Sequence, residues 1–496
     1  MKESEEKQVN ETHGFKRQLN LFDSTMIVAG SMIGSGIFIV SAEISRTVGG
    51  GGWLLAIWLI TGIITVMGAL SYGELAGMMP YAGGQYVYLR ESLGTFFAFL
   101  YGWTLFLVIQ TGTIAAVAVA FGKFLGVLIP ALSENTKIID LHSAGFNFSI
   151  AATQIVGVLL IIFLTYINTL GIKTGKIVQN IFTVTKIGSL VTIIVVVFIF
   201  SSKSSALSLN MSTFFNASWT KIVNGRLVTE TLSGLLLFGA LGAAMVGSLF
   251  SSDAWNNITF IAGEVVNPRK TIPYSLAIGT LLVTALYFIT NVAYIMVLPV
   301  KGSPDGSDIL LRGIQFANTD LVATAAAEVS LGQAGAVVIA LLIIISTFGC
   351  TNGLILAGAR VYYAMAHDRL FFRKMTALNH HKVPAFSLIV QAFWACLLCL
   401  SGTYGNLLDY VIFAVLLFYS ITIIGLFILR IKNPNAPRPY KAFGYPVIPA
   451  LYILAALLIA IDLLMLKPTY TWPGLIIVLL GIPVYYIWKK KNTVQI

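Results

Sequence analysis

Three stretches of this sequence put polar or charged atoms where apolar residues otherwise run unbroken. The first is Gly34-Ser35-Gly36, inside GSMIGSGIFIV. Two glycines around a serine weaken a helix, and an unwound turn there would offer free N–H groups to an anion such as a carboxylate. Gly30/Gly34 and Ser31/Ser35 also have the spacing of a small-residue packing face, so both readings stand. The second stretch is Ser251, Ser252, Asp253, Asn256 and Asn257, with Phe250 and Trp255 alongside. An acid near the bilayer centre costs about 2.5–3.5 kcal/mol on insertion scales, which makes it a functional candidate. The alternative is a span that ends at Phe250 with a surface loop after it; against that, ITFIAG resumes at once. The third is Lys186 in VQNIFTVTKIGSLV. It is either an interfacial lysine at a helix start or a fixed ammonium turned onto the carbonyls of a broken helix, in place of a bound sodium ion.

The elements that must position these residues are membrane spans. Charged residues make up only 10% of the chain, against about 25% in a soluble domain, and mean hydropathy is +0.86. The apolar residues come in runs of about 20, enough to cross a hydrocarbon core of about 30 Å. The pattern predicts twelve spans, at about 21–44, 52–79, 95–129, 149–170, 176–200, 232–264, 272–298, 331–366, 385–402, 405–430, 446–466 and 472–488. The long runs must tilt, break or project from the bilayer. The first and sixth spans carry the two interruptions, at matching places in two halves of five spans, as in an inverted-repeat carrier with a midplane site.

The net charge of +11 is not a nucleic-acid footprint, because the basic residues sit in short loops. Twelve spans put both termini on one side. Placing that side in the cytoplasm collects Lys173, Lys176, Arg269, Lys270, Arg369, Arg373, Lys374, Lys382, Arg430, Lys432, Arg438 and Lys441 in the inner loops. The opposite loops hold Glu134, Asp140, Asp305, Asp308, Asp320 and Glu328, with Lys203, Lys221 and Arg226 as exceptions. The expected organisation is a cytoplasmic tail at 1–20 without a secretory signal, a core at 21–430 in halves at 21–200 and 232–430, two peripheral helices within 446–488, and a cytoplasmic tail at 489–496. Cys350, Cys396 and Cys399 all lie in apolar segments, so no structural disulfide is expected.

Several motifs in order resemble the L-type amino acid transporters of the amino acid–polyamine–organocation superfamily. They are IGSGIF at Ile33–Phe38, MPYAGGQYVYLRE at Met79–Glu91, VQNIFTVTK ending at Lys186, FSSDAWNNITFIAGEVVNPRKTIP from Phe250, and STFGCTNG at Ser346–Gly353 before ARVYYAMAHDRL. The resemblance covers the first eight spans. It implies an all-α polytopic membrane protein of LeuT type, with five plus five inverted repeats, helices one and six broken, and two peripheral helices. It also implies that the backbone around Gly34, Ser35 and Gly36 holds a substrate α-carboxylate. Carbonyls near Ile33, Phe250 and Ser251 would hold the α-ammonium, Phe250 would close over the substrate, and Lys186 would stand in for sodium. Ser252, Asp253, Ala254 and Cys350 are candidates for the pocket wall.

The chain departs from that pattern at Asp253-Ala254, where relatives often have Gly-Gly or Asp-Gly. Ala254 would leave less room beside the ligand. Asp253 would either favour a cationic or polar side chain or cap the second half-helix. Glu264 is expected to form a structural ion pair with Arg269, Lys270 or the inner loops. The animal relatives bond a glycoprotein through a cysteine between spans three and four; residues 130–148 have none, so no disulfide-linked heavy-chain partner is expected.

The leading expectation is a sodium-independent exchanger of neutral amino acids in the cell membrane, with no cofactor and no metal. A proton-coupled symporter, or a carrier of cationic amino acids or polyamines, is the alternative on the same fold, with Asp253 or Glu264 as proton carriers. A membrane sensor would need a signalling domain, and none is evident in the sequence. An enzyme would need a metal cluster or a Ser–His pair within the spans; His380 and His381 fall in an inner loop.

Overall fold

The computed structural model describes residues 17–143, 146–171, 175–200, 205–223, 226–381, 383–402 and 404–493. Most of the expected N-terminal tail, the last residues of the C-terminal one, and Lys173, Lys203 and Lys382 lie outside them. Among the described residues, ten helices are long and apolar enough to cross a membrane, and three shorter apolar helices accompany them.

The chain opens with α1 (Leu21–Met32), started by a capping box in which the Asn20 side chain accepts from Asp23 N–H and the Asp23 carboxylate accepts from Asn20 N–H. After a break it continues through the turn Gly36–Ile39 into α2 (Ser41–Val48). Then come α3 (Gly51–Met78), the short α4 (Gln85–Leu93) and the long α5 (Thr95–Leu128), which contains a π-helical turn at Leu105–Ile109. The helices α6 (Ala152–Thr169) and α7 (Gly175–Phe200) complete the first half.

The second half begins with α8 (Gly234–Ser251) and the single turn α9 (Asn257–Phe260). Next are α10 (Pro268–Val297), α11 (Val322–Leu331), α12 (Gln333–His367), α13 (Ala385–Ser401) and α14 (Tyr404–Lys432). The last two are α15 (Val447–Leu466) and α16 (Pro468–Thr493).

The membrane portion is all-α, but the loops are not entirely irregular. Two antiparallel hairpins, β1–β2 (Lys137–Ser143 with Phe146–Ala151) and β3–β4 (Ser218–Val223 with Arg226–Thr231), cross the regions read from sequence as plain loops. In β2, Phe146, Phe148 and Ile150 alternate with polar or small residues at the two-residue period of a strand. Gln18 and Leu19, assigned to the tail by sequence, are tied down as well. Both donate their N–H to Glu264 O, at 2.8 and 3.0 Å, and Leu19 O accepts from Val266 N–H at 2.8 Å.

The C-terminal end of α3 carries a fully buried acid, Glu74. Glu74 accepts from Arg430 of α14, from Arg438, and from the N–H of Ala442 at 2.7 Å. A buried carboxylate needs such partners to be tolerated. Arg430 and Arg438, read from sequence as topology signals alone, therefore also lock α3 to α14 and the segment before α15.

Candidate substrate site

The first break begins where α1 ends. Ile33 still donates to Ala29 O at 2.9 Å, but its ψ of 90° leaves the helical region. Helical geometry returns at Gly36. Among the described residues, the N–H groups of Gly34, Ser35 and Ile37 meet no protein acceptor. The Gly30/Gly34 pair is consequently not a continuous helical packing face.

A helix end leaves its last carbonyls without intrahelical donors, and here three other helices supply them. Lys186 of α7 donates Nζ to Gly30 O at 2.6 Å, Cys350 of α12 approaches Ser31 O with its thiol at 3.6 Å, and Tyr287 of α10 donates to Met32 O at 2.9 Å. Lys186 is 0% exposed and lies well inside α7, so it is not a snorkelling lysine at a helix start. Asn180 and Thr183, on the same face of α7, donate to Asp23 Oδ1 and Met26 O. Side chains three residues apart on one helix share a face, so α7 holds α1 along its length.

The second break runs from Ser252 to Asn256. Every residue from Phe250 to Asn257 is buried, so this is no surface loop. Ala254 sits at φ +62°, a left-handed conformation that costs a non-glycine residue about 1–2 kcal/mol. The two breaks touch. A β-carbon built on Gly36 would fall on the Ser251 side chain, and one on Gly247 would meet Val40. The Tyr287 hydroxyl also lies 3.1 Å from Ser251 O.

The sequence candidates divide between two faces of the second break. Ile33, Gly34, Ser35, Gly36, Phe250, Ser251, Cys350 and Lys186 come together around the end of α1. A β-carbon on Gly34 would stand 3.3 Å from Cys350 Sγ. Ser35 Oγ lies 3.0 Å from the hydroxyl of Tyr404, at the start of α14, whose ring meets Phe250 edge-on at 6.2 Å. Asp253 and Ala254 instead line a small pocket with Gln85, Tyr101, Gln110, Asn256 and Tyr419, beside the π turn of α5. Ser252 borders a separate gap with Thr65 and Tyr452.

Two expectations need correction. Asp253 does not cap the second half-helix: that turn starts at Asn257, its N-cap is Asn256, and no side-chain cap is made. The Asp253 carboxylate accepts from the Tyr419 hydroxyl at 2.6 Å. Glu264 pairs with Arg360 of α12, at 2.8 Å, rather than with its neighbours in sequence. Tyr287, Tyr404 and Tyr419 were not singled out in the sequence, where a tyrosine in an apolar span carries no signal of its own. Glu74 did carry one, as an acid inside a span.

Two interrupted helices side by side, with unpaired N–H groups and helix-end carbonyls enclosed in a bundle of lipid-length helices, define a membrane carrier for a small polar molecule. The chain belongs to the Amino acid permease family, whose profile it matches over residues 19–485. It is 28% identical to the serine/threonine exchanger SteT of Bacillus subtilis, over 97% of this chain and 99% of the relative. It is also 28% identical to the human large neutral amino acids transporter small subunit 2, over 96% of this chain and 82% of that protein. With the mouse b(0,+)-type amino acid transporter 1 the identity is 25%, over 96% and 88%. The chain is accordingly a multi-pass amino acid transporter and not an enzyme.

Proposed function

We propose that the chain exchanges neutral amino acids across the cell membrane, without sodium, by alternating access. The observation that carries this reading is the Lys186 ammonium, fully buried and 2.6 Å from Gly30 O at the end of a broken helix. A protein cation already occupies a position that would suit a metal cation, so the site needs no sodium ion to balance the helix-end dipole. Relatives that include a serine/threonine exchanger and a large neutral amino acids transporter support exchange and neutral substrates.

In this reading twelve spans form two inverted repeats of five, at about 21–200 and 232–430, followed by two peripheral helices within 446–488. Both termini are cytoplasmic, by the charge distribution of the loops. The unpaired N–H groups at Gly34 and Ser35, with Gly36, hold the substrate carboxylate. The carbonyls near Ile33, Phe250 and Ser251 hold its ammonium. Phe250 and Cys350 face the side chain. The carrier works without a cofactor or a disulfide-linked heavy-chain partner.

Counterflow into proteoliposomes tests the reading. Internal unlabelled amino acid is expected to accelerate uptake of labelled amino acid, with no effect of sodium. Collapse of uptake by a protonophore, without stimulation by internal substrate, would instead establish proton symport. That second reading is favoured by one observation, the buried Asp253 carboxylate, which lines a small pocket with Gln85, Gln110 and Asn256. Asp253→Asn separates the two: under exchange it leaves counterflow intact, whereas under symport it removes proton dependence.

The Ser35–Tyr404 contact lies on the side assigned to the outside, and it closes the site there. Tyr404→Phe removes a hydrogen bond worth about 1 kcal/mol, so outward opening is expected to rise about fivefold. The check is the rate at which a membrane-impermeant thiol reagent added outside modifies Cys350, with Cys350→Ser as control. An unchanged rate would remove Tyr404 from the closure.

A further inference from the structure

Lys221 and Arg226 depart from the charge pattern of the loops, and the structure places both on one hairpin. β3 and β4 pair from Ser218 with Thr231 to Val223 with Arg226, so both cations lie toward the tip, with Ile222, Val223, Leu227 and Val228 around them. All six side chains are exposed. The base differs. Ser218 and Thr220 are buried, and a β-carbon on Gly49, just past the end of α2, would fall on the Ser218 side chain. The hairpin therefore stands with its base on the far end of the first broken helix and offers its tip to the surroundings.

Where the tip lies follows from the chain on either side. The segment runs between the ends of two spans, Phe200 of α7 and Gly234 of α8. Only three residues lead from Thr231 to Gly234, at most about 11 Å of chain. α8 opens with Leu235, Leu236 and Phe238, all strongly exposed, as on a lipid-facing turn. Leu209 and Met211, in the helical stretch Ala206–Ser212 ahead of β3, are exposed as well. Four large apolar side chains clustered in open water are unfavourable and mark a surface that meets something. At the edge of a bilayer they are buried. Trp219 adds a ring of the kind that settles at a membrane–water interface, and the Lys221 ammonium lies 3.8 Å from its centroid. Apolar side chains with cations beside them match a leaflet that carries anionic headgroups. Glu230, the one acid of the hairpin, is opposite Trp219 and nearer the base.

We propose that the β3–β4 hairpin is a docking arm for anionic phospholipid. Ile222, Val223, Leu227 and Val228 enter the leaflet at the start of α8, and Lys221 and Arg226 take the phosphate headgroups. This holds for either orientation of the chain in the membrane and does not depend on the amino acid reading. Because the base rests on the end of α2, lipid held at the tip is joined to the first break through one short hairpin.

A nitroxide on Val223→Cys tests the arm in nanodiscs of phosphatidylcholine, with or without phosphatidylglycerol. Its collision rates with oxygen and with a water-soluble nickel chelate report depth. Wild type treated alike gives the background of the native cysteines, and Asp305→Cys, in an exposed loop, is the water reference. With phosphatidylglycerol the label at 223 is expected to favour oxygen over nickel. Lys221→Gln and Arg226→Gln are each expected to lower the seated-to-free ratio about fivefold, the effect of taking one cation from an anionic surface. High salt is expected to act in the same direction. Lys221→Arg combined with Arg226→Lys keeps both charges and is expected to keep the ratio. Ile222→Ser combined with Leu227→Ser is expected to release the tip in both lipids, by at least about tenfold. All these substitutions fall on exposed side chains and leave the packed base intact.

A label at 223 as open to nickel as the one at 305, in both nanodiscs, puts the tip in water and overturns the proposal. Seating that ignores phosphatidylglycerol and the two glutamine variants overturns it as well, since no anionic headgroup is then bound. A label shielded from both reagents marks a protein contact, such as a second copy of the chain on the tip, and overturns it too.

Discussion

Lys186→Met is expected to lower exchange by about tenfold to a hundredfold while the protein still folds, because it leaves the buried Gly30 carbonyl without its charged donor, at a cost of about 1–3 kcal/mol. Methionine keeps the apolar stem but offers no donor, so Gly30 O loses its 2.6 Å bond at the open end of α1. Asn180 and Thr183 still hold the earlier turns of α1, which is why folding survives. The loss therefore falls on the last turn, where the carbonyls near the break are set. Initial rates of counterflow in proteoliposomes, read beside thermal unfolding of the purified variant, check this. Near-normal exchange would show that the ammonium is dispensable to the cycle.

The second large effect is steric. Gly36→Ala is expected to abolish amino acid binding, whereas Gly34→Ala is expected to weaken it only modestly. A β-carbon at Gly36 would stand on Ser251 Oγ and within 2.7 Å of Ser251 Cβ, so the turn Gly36–Ile39 and the end of α8 must move apart. Overpacking of this kind costs about 1–3 kcal/mol, and here it widens the distance on which the site depends. At Gly34 the nearest atom is the Cys350 thiol at 3.3 Å, a side chain that can turn aside. Ser251→Gly in the Gly36→Ala background is expected to restore part of the binding, because it removes Oγ and Cβ and leaves Cα at 3.1 Å. Isothermal titration with L-leucine and L-serine would measure all three. Normal binding by Gly36→Ala would mean that the two breaks need not touch.

Both predictions concern residues that stand out in the sequence for the same reason. Glycines, clustered serines, an acid or a lysine inside an apolar run are costly in lipid, so their presence signals a local requirement. That logic reached Gly34–Gly36, Ser251–Asn257 and Lys186. It could not reach Tyr287 or Tyr404, whose rings are at home in a bilayer and whose hydroxyls matter only once distant segments meet. Ser35 and Tyr404 are 369 residues apart. Proximity in sequence also misled. Arg269 and Lys270 looked like partners for Glu264, yet the chain brings Arg360 to it from 96 residues away. Asp253, a short acid just before the helix resumes, suits a cap by type, but the turn starts at Asn257 with Asn256 as its N-cap. The β1–β2 hairpin, by contrast, is legible in the alternation of Phe146, Phe148 and Ile150.

The strand-like pairing of Gln18 and Leu19 with Glu264 and Val266 has a consequence for leakage. It joins the segment leading into the first broken helix to the one leaving the second, and the Glu264–Arg360 ion pair fastens the same place to α12. Loosening one strand of this seam exposes the other, so three backbone bonds and an ion pair give way together, at about 1 kcal/mol or more apiece. A door held by fasteners that must all release at once is rarely ajar. A carrier of this build cannot part the two segments here without breaking all four contacts, which makes leakage at this place costly.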